Sequence, residues 1–354
     1  MPFYSIHKKD FQYFISKLSK TYHAFYLRGE DSGFAWKNDS RRRLFWQEYG
    51  GALEGLVSGA VRAQDPLKQF FFASKEKVSH NFRGLEDKQE RPLLLIGAKN
   101  CDLTGLMITD SVFMEGDFKD PFYSKRRNGA FIIGFDCSEP IETCFCRALG
   151  INPFPEKNFD MSIADIGDVF LVEAVSEKAK NYVSEYKNYF KEATEEQLKK
   201  RQDRRSEASQ AVDANVKKNQ VPVKDQLAGI MDKGFDSKVW EEEIQTCVEC
   251  GCCNVVCPTC HCFFLSDAKK ANDNIRYKVW DACLYKDFAV VAGGANPRKH
   301  LAQRLRNRYD KKFAYFPEVL GMIACTGCGR CIVGCPAKID IRRILKNLII
   351  EALA

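Results

Sequence analysis

No run of apolar residues in this chain is long enough to span a bilayer. Its first residues, Met1 to Asp10, lack the apolar stretch of a secretory signal, so a cytoplasmic location is expected. There is no Gly-x-Gly-x-x-Gly fingerprint for a dinucleotide, and no clear nucleophile signature. Cysteine, by contrast, is abundant, with sixteen in 354 residues. With no export signal, metal ligation is a better reading of them than disulfides. The composition, 45% apolar and 29% charged, suits a soluble globular chain with room for two domains. The formal charge of +7 counts every thiol as neutral. Thiolates bound to metal would lower it, so it is weak ground for nucleic-acid binding.

Phe11, Phe14, Ile15 and Leu18 fall at helical spacing and read as the core face of an N-terminal helix. Four short apolar runs then read as buried strands: Phe70 to Phe72, Leu93 to Ile96, Ala130 to Phe135 and Val169 to Val175. An α/β domain over 1–175 is therefore expected. From Glu177 to Gln220 the chain has eleven Lys/Arg, eight Asp/Glu and neither glycine nor proline. Tyr182, Tyr186, Tyr189 and Phe190 form a helical stripe there, and 176–233 reads as a charged, partly helical connector. Residues 234–354 read as a cysteine-rich, mainly α-helical domain.

The strongest signal is a repeat. Its first copy is Cys247-Val-Glu-Cys250-Gly-Cys-Cys253-Asn-Val-Val-Cys257-Pro258. The second is Cys325-Thr-Gly-Cys328-Gly-Arg-Cys331-Ile-Val-Gly-Cys335-Pro336. Both carry the spacing of bacterial two-cluster ferredoxins, whose fourth cysteine, before proline, ligates the other cluster. On that pattern 234–354 is a mainly α-helical, two-cluster ferredoxin-like domain, in which Cys247, Cys250, Cys253 and Cys335 hold one 4Fe–4S cluster, and Cys325, Cys328, Cys331 and Cys257 the other. Structural zinc draws its ligands as separated cysteine pairs and fits two triple runs poorly.

Between the runs, Asn296-Pro297 reads as a helix start. Arg298, Arg304, Arg306 and Arg308 follow, as a solvated face or a docking surface for an acidic partner. Asp340 is placed to cap a last helix with Ile341, Ile344, Leu345, Leu348 and Ile349 on one face. In the N-terminal half, Cys101 follows one expected strand and Cys137 another, with Cys144 and Cys146 in the next loop. Were those strands parallel, these four thiols would meet at one sheet edge, where a third 4Fe–4S cluster is expected. Buried thiols packing as small hydrophobes are the alternative. Cys252 stands where the second copy has Arg330 and is not expected to ligate. Cys260, Cys262 and Cys283 read as packing or tuning a nearby cluster, with a further metal centre as the alternative.

Longer motifs surround these cysteines: Cys257-Pro-Thr-Cys260-His261-Cys262-Phe, Trp280-Asp281-Ala-Cys283, Asn296-Pro297-Arg298 and the closing second run. With Pro66 to Phe72, Cys101-Asp102-Leu103, Asp120 to Tyr123, Arg126-Arg127 and Thr143-Cys144-Phe-Cys146, they cover nearly the whole chain. In these motifs the chain resembles the iron–sulfur (beta) subunit of soluble NAD(P)-linked hydrogenases. It is similar also to the equivalent iron–sulfur subunits of anaerobic sulfite reductase and of flavin oxidoreductase–heterodisulfide reductase complexes. The charged connector and Lys99-Asn100, where an Arg-Pro-like pair is expected, depart from the family pattern. The resemblance implies a neighbouring protein carrying FAD and NAD(P), and a terminal redox subunit. The chain would pass single electrons between them. The alternative is an iron–sulfur enzyme subunit with its own sulfite- or sulfur-reducing activity. A cluster-dependent nucleic-acid binder is disfavoured by the mixed-sign connector.

Overall fold

The computed structural model describes residues 3–31, 42–85 and 90–353. Twelve strands are found among them: β1 (Phe3–His7), β2 (His23–Asp31), β3 (Arg42–Glu48), β4 (Lys75–His80), β5 (Arg83–Gly84), β6 (Leu93–Ala98), β7 (Phe131–Phe135), β8 (Met161–Asp165), β9 (Val169–Ala174), β10 (Lys191–Glu192), β11 (Phe263–Lys270) and β12 (Asp273–Trp280). Eight form one sheet in the order β10-β1-β9-β8-β7-β6-β2-β3. Its centre, β2-β6-β7-β8, is parallel, and its flanks are antiparallel. β6 and β7 are buried on both faces, which accounts for their unbroken apolar sequences.

The helix Lys8–Leu18 covers one face with Phe11, Phe14, Ile15 and Leu18, as its spacing predicts. They meet Phe131, Phe135 and Phe170 from the strands. The helix Glu177–Glu185 and strand β10 come from the charged stretch, yet Ala179, Val183 and Phe190 belong to this same core. The helix Glu195–Lys218 then starts at a capping box of Thr194 and Gln197, worth about 1 kcal/mol. It buries Arg205, Ala208 and Val212. Arg205 grips Asp136 through two hydrogen bonds of 2.7 and 2.8 Å, tying the helix to the end of β7.

Two expectations about elements are corrected. Phe70 to Phe72 is not a strand: after Pro66 the chain makes a single tight turn, Leu67–Phe70, and Phe71 and Phe72 bury as anchors. A short apolar run cannot announce its own backbone geometry. The helix after Asn296 begins only at Leu301, because Asn296 Oδ1 accepts from Arg298 N at 2.9 Å and closes a turn.

The C-terminal part is ferredoxin-like, but it is not simply helical. Between its cysteine runs lies the hairpin β11–β12, which joins β4 and β5 in a four-stranded sheet of order β11-β12-β4-β5. That sheet stitches the two halves of the chain together. Lys278 on β12 seals the seam, paired with Glu76 at 2.9 Å and with Asp120. Trp240, Leu305, Tyr309, Ile344 and Leu348 form the C-terminal core, which also takes in Phe145 and Leu149. Asp340 Oδ1 accepts from Arg342 N at 2.9 Å, so the last helix, Ile341–Leu353, is capped as expected. No helix among the described residues is long and apolar enough to cross a membrane.

Candidate metal centres

The two cysteine runs fold alike. Each passes through a glycine in the left-handed region, Gly251 at φ 69° and Gly329 at φ 73°. Each then makes one helical turn, Cys252–Val255 or Arg330–Val333. A side chain at Gly251 would strike the Tyr285 ring, and one at Gly329 would strike Thr143. Glycine is required at both places by conformation and by space. Backbone N–H groups turn toward the sulfurs, Glu249 N to Cys247 Sγ and Ile339 N to Cys335 Sγ, both at 3.4 Å.

Cys247, Cys250, Cys253 and Cys335 line one cavity, with walls from Ile244 and Leu305. Cys252 and Cys331 also reach its wall. Cys257 sits instead beside the second run: the charges felt by Cys325 and Cys331 include those of Cys257 and Cys328. The trailing cysteine of each run thus lies with the leading three of the other. None of these eight is in a disulfide. Burial pushes the thiols of Cys253 and Cys325 up to about 11. Cys257 goes the other way, well below the usual thiol range, because Cys260 donates to it and Lys312, Arg308 and Lys68 face it. Among the described residues, no three His, Cys, Asp or Glu side chains close to the spacing of a single metal ion. A four-iron cubane, which carries its cysteines on separate corners, spreads them wider than one zinc ion does.

The arginine-rich segment is not the solvated face its composition predicts. Arg304 is 2% exposed and Arg308 5%. Arg308 Nη1 lies 3.4 Å from Cys260 Sγ, and Nη2 bonds the Cys253 carbonyl at 2.9 Å. One turn on, where the helix widens into a π turn over Lys311–Tyr315, Lys312 Nζ lies 3.4 Å from Cys257 Sγ. Buried cations facing sulfurs need a compensating anion, and a thiolate-bound cluster is one.

The N-terminal cysteines also converge. β6 and β7 are parallel, so Cys101, in the first turn of the helix Asn100–Met114, and Cys137 leave the same sheet edge. With Cys144 and Cys146 they line one cavity, joined by Arg62, Lys99 and Cys328 of the second run. The Gly327 loop closes it: Phe145 N donates to Gly327 O at 2.9 Å, and a Cβ on Gly327 would stand 2.5 Å from the Cys146 backbone. Lys99 is buried and donates to the carbonyls of Ser58 and Asp136, both at 2.8 Å. Arg62 Nε and Arg330 Nη1 are buried with no hydrogen-bond partner. Burial pushes the Cys137 thiol up to about 12, so cluster uptake there must release protons. Unpartnered guanidinium N–H groups around four thiols fit an anionic cluster. Spacing could not have revealed Arg62, Arg308 or Lys312, because charged residues read as surface until the fold buries them.

Paired cysteine runs on a ferredoxin-like scaffold, with cations turned onto the sulfurs, define an iron–sulfur electron-transfer protein. A family model described as a 4Fe-4S dicluster domain matches residues 246–339. The chain is 33% identical over 301 residues to sulfhydrogenase 2 subunit beta of Pyrococcus furiosus, covering 84% of this chain and 86% of that protein. It therefore belongs to the hydrogenase beta-subunit family of iron–sulfur subunits.

Proposed function

We propose that this chain relays single electrons between a partner that binds flavin and NAD(P)H and a terminal redox subunit, within a cytoplasmic multi-subunit oxidoreductase. Cys247, Cys250, Cys253 and Cys335 would hold one 4Fe–4S cluster, and Cys325, Cys328, Cys331 and Cys257 a second. Cys101, Cys137, Cys144 and Cys146 would hold a third. The observation that carries the reading is Cys328, which belongs to the second run and also lines the N-terminal cavity. Contiguous cysteine groups are what a relay requires. The clusters supply one-electron steps, into which a flavin divides a hydride's electron pair. The protein's part is to space the sulfurs, exclude water and bring buried cations against them. The name of the Pyrococcus furiosus relative, a beta subunit, supports a place in a complex.

Anaerobic purification of the full chain from its native host tests this. Co-purification of a flavoprotein in stoichiometric amount is expected. A chain that comes off alone and itself turns over NADH or sulfite would overturn the relay.

A further inference from the structure

Cys260, Cys262 and Cys283 stand outside the three groups, and the hairpin β11–β12 gathers them. Cys262 immediately precedes β11, and Cys283 follows β12 by three residues. Phe263 pairs with Trp280, and Asp281 N donates to Cys262 O at 3.0 Å, so the open ends of the hairpin bring the three cysteines together. One donor holds two of the sulfurs: Asn254 Nδ2 lies 3.1 Å from Cys283 Sγ and 3.8 Å from Cys260 Sγ. Cys262 is half-buried, and Cys283 and Asp281 are among the groups whose charge acts on it.

The surroundings are cationic. Lys68 is 2% exposed and donates to the Cys260 carbonyl at 2.6 Å, with its ammonium 4.5 Å from the Trp280 ring centre. Arg308 reaches Cys260 Sγ. Among the described residues, the polar partners of Lys68 and Arg308 are carbonyls and a cysteine sulfur, not carboxylates. A thiol that merely packs needs no N–H donors on its sulfur. N–H donors lie on the Cys283 and Cys260 sulfurs beside buried cations, which favours thiolate there, as the backbone N–H groups do on Cys247 and Cys335 of the two runs. Thiolates persist in a buried site when a metal centre holds them. Among the described residues, these three side chains are not grouped as the ligands of a single metal ion.

We propose that Cys260, Cys262 and Cys283 hold a further 4Fe–4S cluster, with its fourth iron left to a ligand other than cysteine. The site lies against the first run, since Asn254 sits between Cys253 and Cys257 in sequence.

Iron and sulfide analysis of the anaerobically purified full chain, with electron paramagnetic resonance of the reduced protein, tests this. The variant C260S/C262S/C283S is expected to hold about four fewer irons than the parent and to lose one signal. An unchanged iron count and spectrum would overturn the site. If that variant does not fold, the parent decides, and about sixteen irons per chain sustain the site. About twelve irons overturn it if C101S/C137S removes four of them, and sustain it if that pair removes none.

Discussion

The ammonium of Lys312 lies 3.4 Å from the sulfur of Cys257, and both groups are buried. Thr259 Oγ1 and Ala324 O, each at 2.8 Å, hold the ammonium there. Burial alone would depress its pKa, but Cys257 and Cys260 hold it above the usual lysine value. A fixed positive charge beside a cluster sulfur stabilises the reduced, more negative state. K312Q is therefore expected to lower the midpoint potential of the cluster bound by Cys257. A partly screened buried charge is worth about 1–2 kcal/mol here, or about 60 mV for a one-electron couple. K312R should retain most of the parent potential. A redox titration followed by electron paramagnetic resonance checks both, with the other cluster as internal reference.

Arg330 Nη2 and Asp102 Oδ2 meet at 2.7 Å, with side chains 2% and 1% exposed. Arg330 Nε also donates to Ala63 O at 2.9 Å, so the second run is pinned to the N-terminal domain. D102A leaves a buried guanidinium without its counter-charge. A loss of about 3–5 kcal/mol in stability is expected. D102A/R330M should recover part of that loss, since the unpaired charge goes too. Anaerobic chemical denaturation of the two variants and the parent measures the difference.

What could be read from the sequence was local. The spacing of each run dictates a loop, a left-handed glycine and one helical turn, and Gly251 and Gly329 adopt nearly the same φ. The meeting of Cys101 with Cys137 depended on one condition, parallel β6 and β7, and the sheet meets it. The hairpin was obscured because the cysteine runs suggested helix throughout. Its alternation, Ile275, Tyr277 and Val279 against Asn274, Arg276 and Lys278, was nonetheless present. Arg308 and Lys312 were beyond reach, since only tertiary packing turns a charge run into a lining for sulfur.

Cys335 decides whether the two runs share ligands. It trails the second run, yet it lines the cavity of Cys247, Cys250 and Cys253, and its sulfur accepts from Ile339 N at 3.4 Å. Cys335→Ser replaces a soft thiolate with a poor ligand for iron. The expected damage is to the cluster of the first run, with loss of iron or conversion to a three-iron form. The cluster of Cys325, Cys328 and Cys331 should stay intact, because Cys257 lies among the charge neighbours of Cys325 and Cys331. Cys257→Ser should give the mirror result. Electron paramagnetic resonance separates the two, with Cys250→Ser and Cys328→Ser marking the signals of the first and the second run. Loss in Cys335→Ser of the signal that Cys328→Ser removes would show that each run keeps its own trailing cysteine, and that the crossed arrangement is wrong.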